Sequence, residues 1–136
     1  MNLLEEFVNY LSEKTALVPG ENLFYNSAPD STDDIVLLQL SPLNIATEAQ
    51  IDGDINIITA TTIASSNSAA YELGTMVYRW LYTDKEDTSD ADGLIRLSEN
   101  LTVATAVYGP PVWVKTDEKD RKYFAFKVRV FSKRII

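Results

Sequence analysis

The sequence predicts an α+β protein with a single domain over residues 1–136, in which two main helices pack on a mostly antiparallel sheet. Two observations favour this class: apolar residues recur at helical spacing in two segments and alternate with polar residues in others. The order of the segments, which is helix, three strands, helix and a β meander, favours the same class. There is no internal repeat and no boundary between domains.

The first half of the chain is predicted to hold one helix and three strands. The apolar residues of the helix recur three and four positions apart: Leu3, Leu4, Phe7, Val8 and Leu11. We expect the helix to end before Pro19 and Gly20, which do not favour its continuation. Short apolar runs predict strands at 23–25 and 35–40, and the alternating segment 54–64 predicts the clearest strand.

The second half begins with a helix over 69–82, preceded by serines that favour an N-cap. Gly74 inside this helix indicates close packing on a strand or, as the alternative, on another subunit. The later elements are expected in this order: a polar loop at 83–93, strands at 94–97 and 101–108, a break at Tyr108–Pro111, β structure at 112–115, a charged turn at 116–122 and a strand at 123–131. Alternation in the last strand predicts one face on the core.

The composition excludes several kinds of active site. The chain has no cysteine and no histidine, so it has no disulfide, no thiolate nucleophile and no imidazole base or metal ligand. Its net charge of −8 opposes general coating of nucleic acid. No apolar run reaches the ~20 residues that a membrane span needs, and the acidic N-terminus does not look like a signal peptide. We therefore expect a protein made inside the cell.

Charge is distributed unevenly along the chain. Residues 1–78 carry eleven acidic residues and one basic residue, whereas residues 114–136 carry eight basic residues and three acidic ones. The basic segment can lie against the acidic part of its own fold. It can also pair with another copy of the chain or with a charged partner, and the sequence leaves both arrangements open.

One acidic segment has the spacing of a calcium-binding EF-hand loop. Asp90, Asp92, Gly93 and Glu99 match the pattern, but Thr88 stands where the loop requires an aspartate. The segment that follows alternates like a strand and lacks the periodicity of the exiting helix. We therefore expect a solvated loop and no metal site.

Two other patterns have a functional and a structural interpretation. The pairs Asp33-Asp34 and Asp117-Glu118 lie in predicted turns, where carboxylates are ordinarily solvated, so we expect no acid/base catalysis, no catalytic residues and no cofactor. The final strand interleaves aromatic and basic residues, as single-stranded nucleic-acid binders do. A half-buried strand shows the same pattern, and the acidic balance opposes nucleic-acid binding.

Two segments carry a resemblance to a known family. The first is the strand DINIITATTIASS followed by the helix NSAAYELGTMVYRWLY, and the second is the ending GPPVWVKTDEKDRKYFAFKVRV. Together with the opening helix, this order resembles the tail terminator (tail-completion) proteins of long-tailed bacteriophages, which include sequences labelled minor capsid proteins. The acidic insert 84–93 departs from the family's pattern.

The resemblance implies a structural virion protein that forms a hexameric ring, ends growth of the tail tube and joins the tail to the neck of the head. The expected partners are copies of the chain, the tail tube protein and a neck or head–tail connector protein, without specific nucleic acid or membrane. The expected location is the tail and neck of the virion, after assembly in the host cytoplasm. Alternatives are another connector or tail-tube ring component, a cellular binding domain and a carboxylate-based enzyme.

On this hypothesis, the basic and aromatic residues of the C-terminal segment are the best candidates for contacts between subunits or with the tube. They are Arg121, Lys127, Arg129, Phe131, Lys133 and Arg134.

Overall fold

The computed structural model describes residues 3–30, 34–40, 54–82, 95–98 and 101–134. In chain order, its elements are α1 (Leu3–Lys14), β1 (Leu23–Tyr25), β2 (Ile35–Leu40), β3 (Asp54–Ala64), α2 (Asn67–Leu81), β4 (Ile95–Ser98), β5 (Leu101–Thr116) and β6 (Lys122–Arg134). The predicted α+β class and the predicted order of elements are confirmed. The predicted connection at 43–53 and the loop at 83–93 lie outside the described residues.

The six strands form one sheet in the order β1-β2-β3-β6-β5-β4. Only the short edge strand β1 pairs in parallel, with β2; the other pairs are antiparallel. The register aligns one row of residues across five strands: Leu23, Val36, Thr62, Phe124 and Trp113. This row connects the start of β1, near one edge of the sheet, with the end of β5.

The sheet has an inner face that carries the core and an outer face on which neither α1 nor α2 packs. Alternate residues of β6 (Phe126, Val128 and Val130) are buried and belong to the core, together with Ile58 and Ala60 of β3. The predicted alternation of the last strand is therefore confirmed. The two helices pack on the inner face because each has an apolar stripe that is removed from water there.

Helix α1 packs inside the curl of the sheet. Its apolar stripe of Leu4, Phe7, Val8 and Leu11 is buried. The helix contacts β1 and β2 near one edge of the sheet and β4 at the other edge. A flat six-stranded sheet would hold its edge strands about 24 Å apart, so these shared contacts require strong curvature.

Helix α2 covers β3, β5 and β6. It begins at Asn67, two residues before the predicted start, because the Ser66 side chain accepts a hydrogen bond from the Ala69 N–H at 3.1 Å. The close packing expected at Gly74 is made on strands: an added Cβ would lie 3.1 Å from Pro111 and 3.3 Å from Thr62.

Three side-chain hydroxyls connect the helices to their surroundings. Tyr10 of α1 donates to the Trp80 carbonyl of α2 at 2.9 Å, and Thr105 of β5 donates to the Leu81 carbonyl at 2.5 Å. Thr62 of β3 donates to the Ala70 carbonyl at 2.8 Å. Each of these bonds joins separate elements, so the hydroxyls fix both α1 and the sheet relative to α2.

The predicted break at Tyr108–Pro111 is wrong, because β5 continues through it and includes the segment 112–115. The Gly109–Pro110 peptide bond is cis, and the register with β6 shifts between Tyr108 and Val112 and again between Trp113 and Lys115. Prolines cannot donate to a ladder, but a bulge leaves unpaired positions that accommodate them. The Gly-Pro-Pro segment therefore marks an irregularity in the pairing of β5 with β6, but it does not end the strand.

Gly109 lies against the ring of Tyr78, so adding a methyl group there should be destabilising. A Cβ at Gly109 would lie 2.5 Å from a Tyr78 ring carbon, and that ring already packs against Phe126 and Tyr82. We expect Gly109→Ala to lower the free energy of unfolding by about 1–3 kcal/mol, as overpacking does, measured by urea denaturation.

The contact with Tyr78 can be isolated in a double-mutant cycle. In a Tyr78→Leu background, which removes the ring, Gly109→Ala should cost clearly less stability than in the wild type. An equal cost in both backgrounds would show that backbone conformation, and not the ring, excludes alanine at position 109.

Candidate interaction surface

The outer face of β5 and β6 carries three of the six residues that the sequence nominated for contacts. Lys127, Arg129 and Phe131 alternate along β6 on the face opposite the core, and Lys127 and Phe131 are exposed. No helix described in the structure covers this face. A sheet face without a helix normally carries polar residues, so apolar side chains on it need an explanation.

Strand β5 supplies four exposed apolar side chains that the sequence prediction missed. Tyr108 is 52% exposed, Val112 60%, Trp113 56% and Val114 48%. Cross-strand partners share a face of the sheet. Val112 pairs with Ala125 on the outer face, whereas Trp113 pairs with Phe124 and lies on the other face, at the open edge of β5. The register shift after Trp113 leaves Val114 on the outer face with Val112. The only sequence signal was the Gly-Pro-Pro segment before Val112, which indicates an irregular strand without showing where its side chains lie.

Part of this patch forms a shallow apolar groove of about 520 Å³. Its walls come from both strands of the hairpin and from β3: Thr59, Tyr108, Pro110, Val112, Val114, Ala125 and Lys127. Clustered apolar side chains on an otherwise solvated face are typical of protein interaction sites. We call the exposed apolar residues Tyr108, Val112, Trp113 and Val114, with Lys115 and Lys127, the β5 margin.

The backbone of β5 is itself open on one side. Within the described residues, β4 pairs only with Leu101–Val103, and no strand pairs with the β5 edge from Ala104 to Thr116. Pro110 and Pro111 interrupt this edge, which reduces its ability to extend a sheet indefinitely. The β5 margin therefore combines an apolar surface with a partly protected strand edge.

The two lysines of the β5 margin differ from the other cations of the hairpin. Lys127 is exposed, and the Lys115 ammonium lies 4.7 Å from the centre of the Tyr123 ring. Among the described residues, neither makes an ion pair within 4.0 Å, whereas Lys119, Arg121 and Lys122 all do. Among the described residues, the outer face thus carries positive charge that no ion pair neutralises.

The turn between β5 and β6 holds a cluster of charged groups centred on Arg121. This arginine is only 5% exposed. Its guanidinium donates to the Asp117 carboxylate and to the Asp30 carboxylate, each at 2.9 Å, and the Tyr123 hydroxyl donates to Asp117 at 3.0 Å. Because Asp30 follows β1, the cluster fastens the hairpin turn to the opposite part of the sheet.

Asp117 organises the turn through its carboxylate. One oxygen accepts the backbone N–H groups of Lys119 and Arg121, each at 2.9 Å. Partial burial opposes ionisation, but hydrogen bonds from the Arg121 backbone, the Arg121 guanidinium and the Tyr123 hydroxyl outweigh it and lower the pKa of Asp117 to about 2. The carboxylate is therefore ionised in the folded protein at neutral pH.

The six nominated residues separate into three groups. Arg121 lies inside the turn cluster, so its charge is already paired within the chain. Lys127, Arg129 and Phe131 share the outer face, as the alternation predicts. Lys133 and Arg134 belong to β6, but their side chains lie outside the described part of the structure.

The described residues offer no candidate metal centre and no membrane span. No group of three or more acidic residues in them is placed to hold a metal ion. The EF-hand-like positions 88, 90, 92, 93 and 99 lie outside the described residues, while Ile95–Ser98 between them form β4. No helix in the described ranges is both long and apolar enough to cross a membrane.

Comparison with known proteins does not assign the chain to a family. No family model matches it, and no curated protein sequence is significantly similar to it.

The ionised state of Asp117 predicts an acid-labile contribution to stability. The folded-state pKa of about 2 lies below the ordinary value of 3.8, so this contribution is complete above pH 3.8 and is lost as the pH falls through about 2. Asp117→Asn should therefore lower the urea midpoint most near neutral pH, and its difference from the wild type should shrink in acid.

Asp120→Asn provides the control, because it removes one exposed carboxylate from the same turn. Its partner Lys122 lies 2.6 Å away, but a surface pair of this kind contributes little. A difference between Asp117→Asn and the wild type that stayed constant from pH 6 to pH 2 would contradict the assignment.

Proposed function

We propose that the chain is a structural subunit of a bacteriophage tail terminator or a close relative. Copies of it form a hexameric ring that caps the tail tube and joins the tube to the head–neck connector. The work of such a protein is contact between surfaces and involves no turnover of a substrate.

The order and packing of the elements support this proposal. The two segments that resemble the family, 54–82 and 109–130, form the β3–α2 unit and most of the β5–β6 hairpin. They pack against each other, since α2 contacts β3, β5 and β6. The part of the sequence that carries the resemblance is thus one contiguous structural unit.

The β5 margin is the observation that carries the proposal. A subunit that functions alone has no need for four exposed apolar side chains beside two lysines without an ion-pair partner in the described structure. A subunit that assembles needs such a patch, because burying apolar area provides most of the driving force for association. Uneven charge along the chain suits contacts between unlike surfaces, which generate rings when the rotation closes.

The main alternative is another ring component of the virion, such as a head–tail connector or a tail-tube subunit. The β5 margin would serve that role equally well. The two functions differ in where the protein is found and how many copies are present, so imaging decides between them.

Electron microscopy of the parent virion, with the chain labelled by a specific antibody, tests the proposal. We expect one ring of label at the head-proximal end of the tail tube. Density repeated along the tube would contradict the terminator and support a tube subunit. Label that is absent from virions would contradict both functions.

Charge reversal on the outer face should impair assembly without unfolding the subunit. Lys127 is exposed, so Lys127→Glu should leave the circular dichroism spectrum and the urea midpoint nearly unchanged. Ring formation, measured by light scattering and electron microscopy of purified protein with tail tubes, should weaken by about tenfold or more. Lys127→Glu with Arg129→Glu should weaken it further.

Arg79→Glu is the matched control, because Arg79 is an exposed cation of α2 and lies away from this face. It should leave assembly unchanged. Normal rings from the Lys127→Glu and Arg129→Glu double variant, with an intact fold, would show that the outer face does not take part in assembly.

A further inference from the structure

The shape and charge of the β5 margin indicate what kind of partner surface can bind it. Val112 and Val114 form its apolar centre on the outer face, flanked by Lys115 and Lys127, and Trp113 lies at the same strand edge on the other face. A complementary surface therefore needs exposed apolar atoms flanked by carboxylates.

The loop between α1 and β1 has these properties. Val18 is 43% exposed, and Ala16 and Pro19 are exposed beside it. Two exposed acids lie on either side, Glu13 in the last turn of α1 and Glu21 before β1. The one cation between them, Lys14, has its ammonium 5.7 Å from the centre of the Trp80 ring, so the segment 13–21 keeps a net charge of −1. Among the described residues, neither glutamate makes an ion pair within 4.0 Å. We call residues 13–21 the acidic loop.

The acidic loop is held in a fixed conformation. The Val18 N–H donates to the Asn22 side chain at 2.6 Å, and the backbone N–H groups of Glu21 and Asn22 both donate to the Val18 carbonyl. Gly20, at φ +85°, occupies the left-handed region that glycine favours. A loop already fixed in this way loses little conformational entropy when it binds.

The acidic loop and the β5 margin occupy opposite sides of the sheet at the same level. The acidic loop runs directly into Leu23, and the aligned row from Leu23 crosses the sheet to Trp113 of the β5 margin. When one copy is placed beside the next along this row, the β5 margin of the first meets the acidic loop of the second. This contact joins two different surfaces, so repeating it forms a ring when the rotation between neighbours closes and an open filament when it does not.

We infer that the β5 margin binds the acidic loop of a second copy of this chain, with Val112 and Val114 against Val18 and Pro19 and with the lysines near the glutamates. Trp113 lies at the edge of this contact. The inference rests on the proposed function for the closed ring, but the contact itself can be tested without a virion.

The absence of cysteine from the chain allows a clean cross-linking test. The double variant Val112→Cys with Val18→Cys places one thiol on each proposed surface, both at exposed positions. Under mild oxidation at high protein concentration, we expect a ladder of disulfide-linked oligomers on non-reducing gels. Each single variant can form nothing larger than a dimer.

The matched control is Val112→Cys with Leu40→Cys. Leu40 is 49% exposed and lies at the far end of β2 from the acidic loop. It therefore offers a similar thiol on the same side of the sheet at the wrong level. A ladder from this control as strong as that from the Val18 variant, or no ladder from the Val18 variant, overturns the inference.

Charge exchange provides a second, independent measurement. Lys127→Glu should weaken self-association by about tenfold, and adding Glu21→Lys should restore most of that loss by reversing the pair. Sedimentation equilibrium measures both. Lys127→Glu can also be combined with Glu13→Lys. If self-association stays weak in both combined variants, the partner of Lys127 lies outside the acidic loop and the inference is overturned.

Quenching of Trp113 fluorescence by acrylamide can distinguish a failure of this inference from a failure of the proposed function. Acrylamide quenching of Trp113, followed in a Trp80→Phe background, should fall on self-association. Protection only on addition of tail tube protein would assign the β5 margin to that partner and overturn the inference, while leaving the terminator proposal in place. A Val112–Val18 ladder from a protein that is absent from virions would support the contact and reject the terminator.

Discussion

The packing of α1 inside the curled sheet is the constraint on which the rest of the molecule depends. A helix that contacts strands near both edges of the sheet requires that sheet to bend around it. The bend gives the protein an inner face, closed by α1 and α2, and an outer face that these helices leave open. Hydroxyl groups on Tyr10, Thr62 and Thr105 then fix α2 relative to α1 and the sheet. The outer face, the sheet edges, the loops and the exposed side of α2 are therefore the surfaces available for association.

The cations of the C-terminal segment fall into two physical classes. Arg121 is buried between Asp117 and Asp30, where removing one partner would leave an uncompensated charge, so its role is to hold the turn. Lys115 and Lys127 remain at the surface beside apolar side chains. A surface cation adds little to the stability of a subunit, but it steers association and disfavours incorrect partners. The same basic segment thus supplies one cation that holds the turn and two that lie at the surface.

A tail terminator role and a heterologous contact between subunits place similar demands on the molecule. Both need preformed surfaces, because a ring closes only when each interface repeats the same rotation. The acidic loop has internal hydrogen bonds, and the β5 margin belongs to a hairpin paired on one side along its length. In the proposed ring, the angle between neighbouring subunits follows from the curvature of the sheet around α1, because the two surfaces lie at the ends of one row across it.

Local periodicity in the sequence determined the α+β class, the order of the elements and the inner face of β6, because these depend on spacings of two and of three to four residues. It also placed Lys127, Arg129 and Phe131 together on one face. Periodicity did not reveal the continuity of β5 through Pro110, the exposure of Val112 to Val114 or the pairing of Arg121 with Asp30. Only the tertiary structure decided these features, because bulges shift the register between strands and the Arg121–Asp30 pair joins residues about ninety positions apart. The sequence therefore supplied the elements and the charges, and the curl of the sheet decided which of them reach the surface.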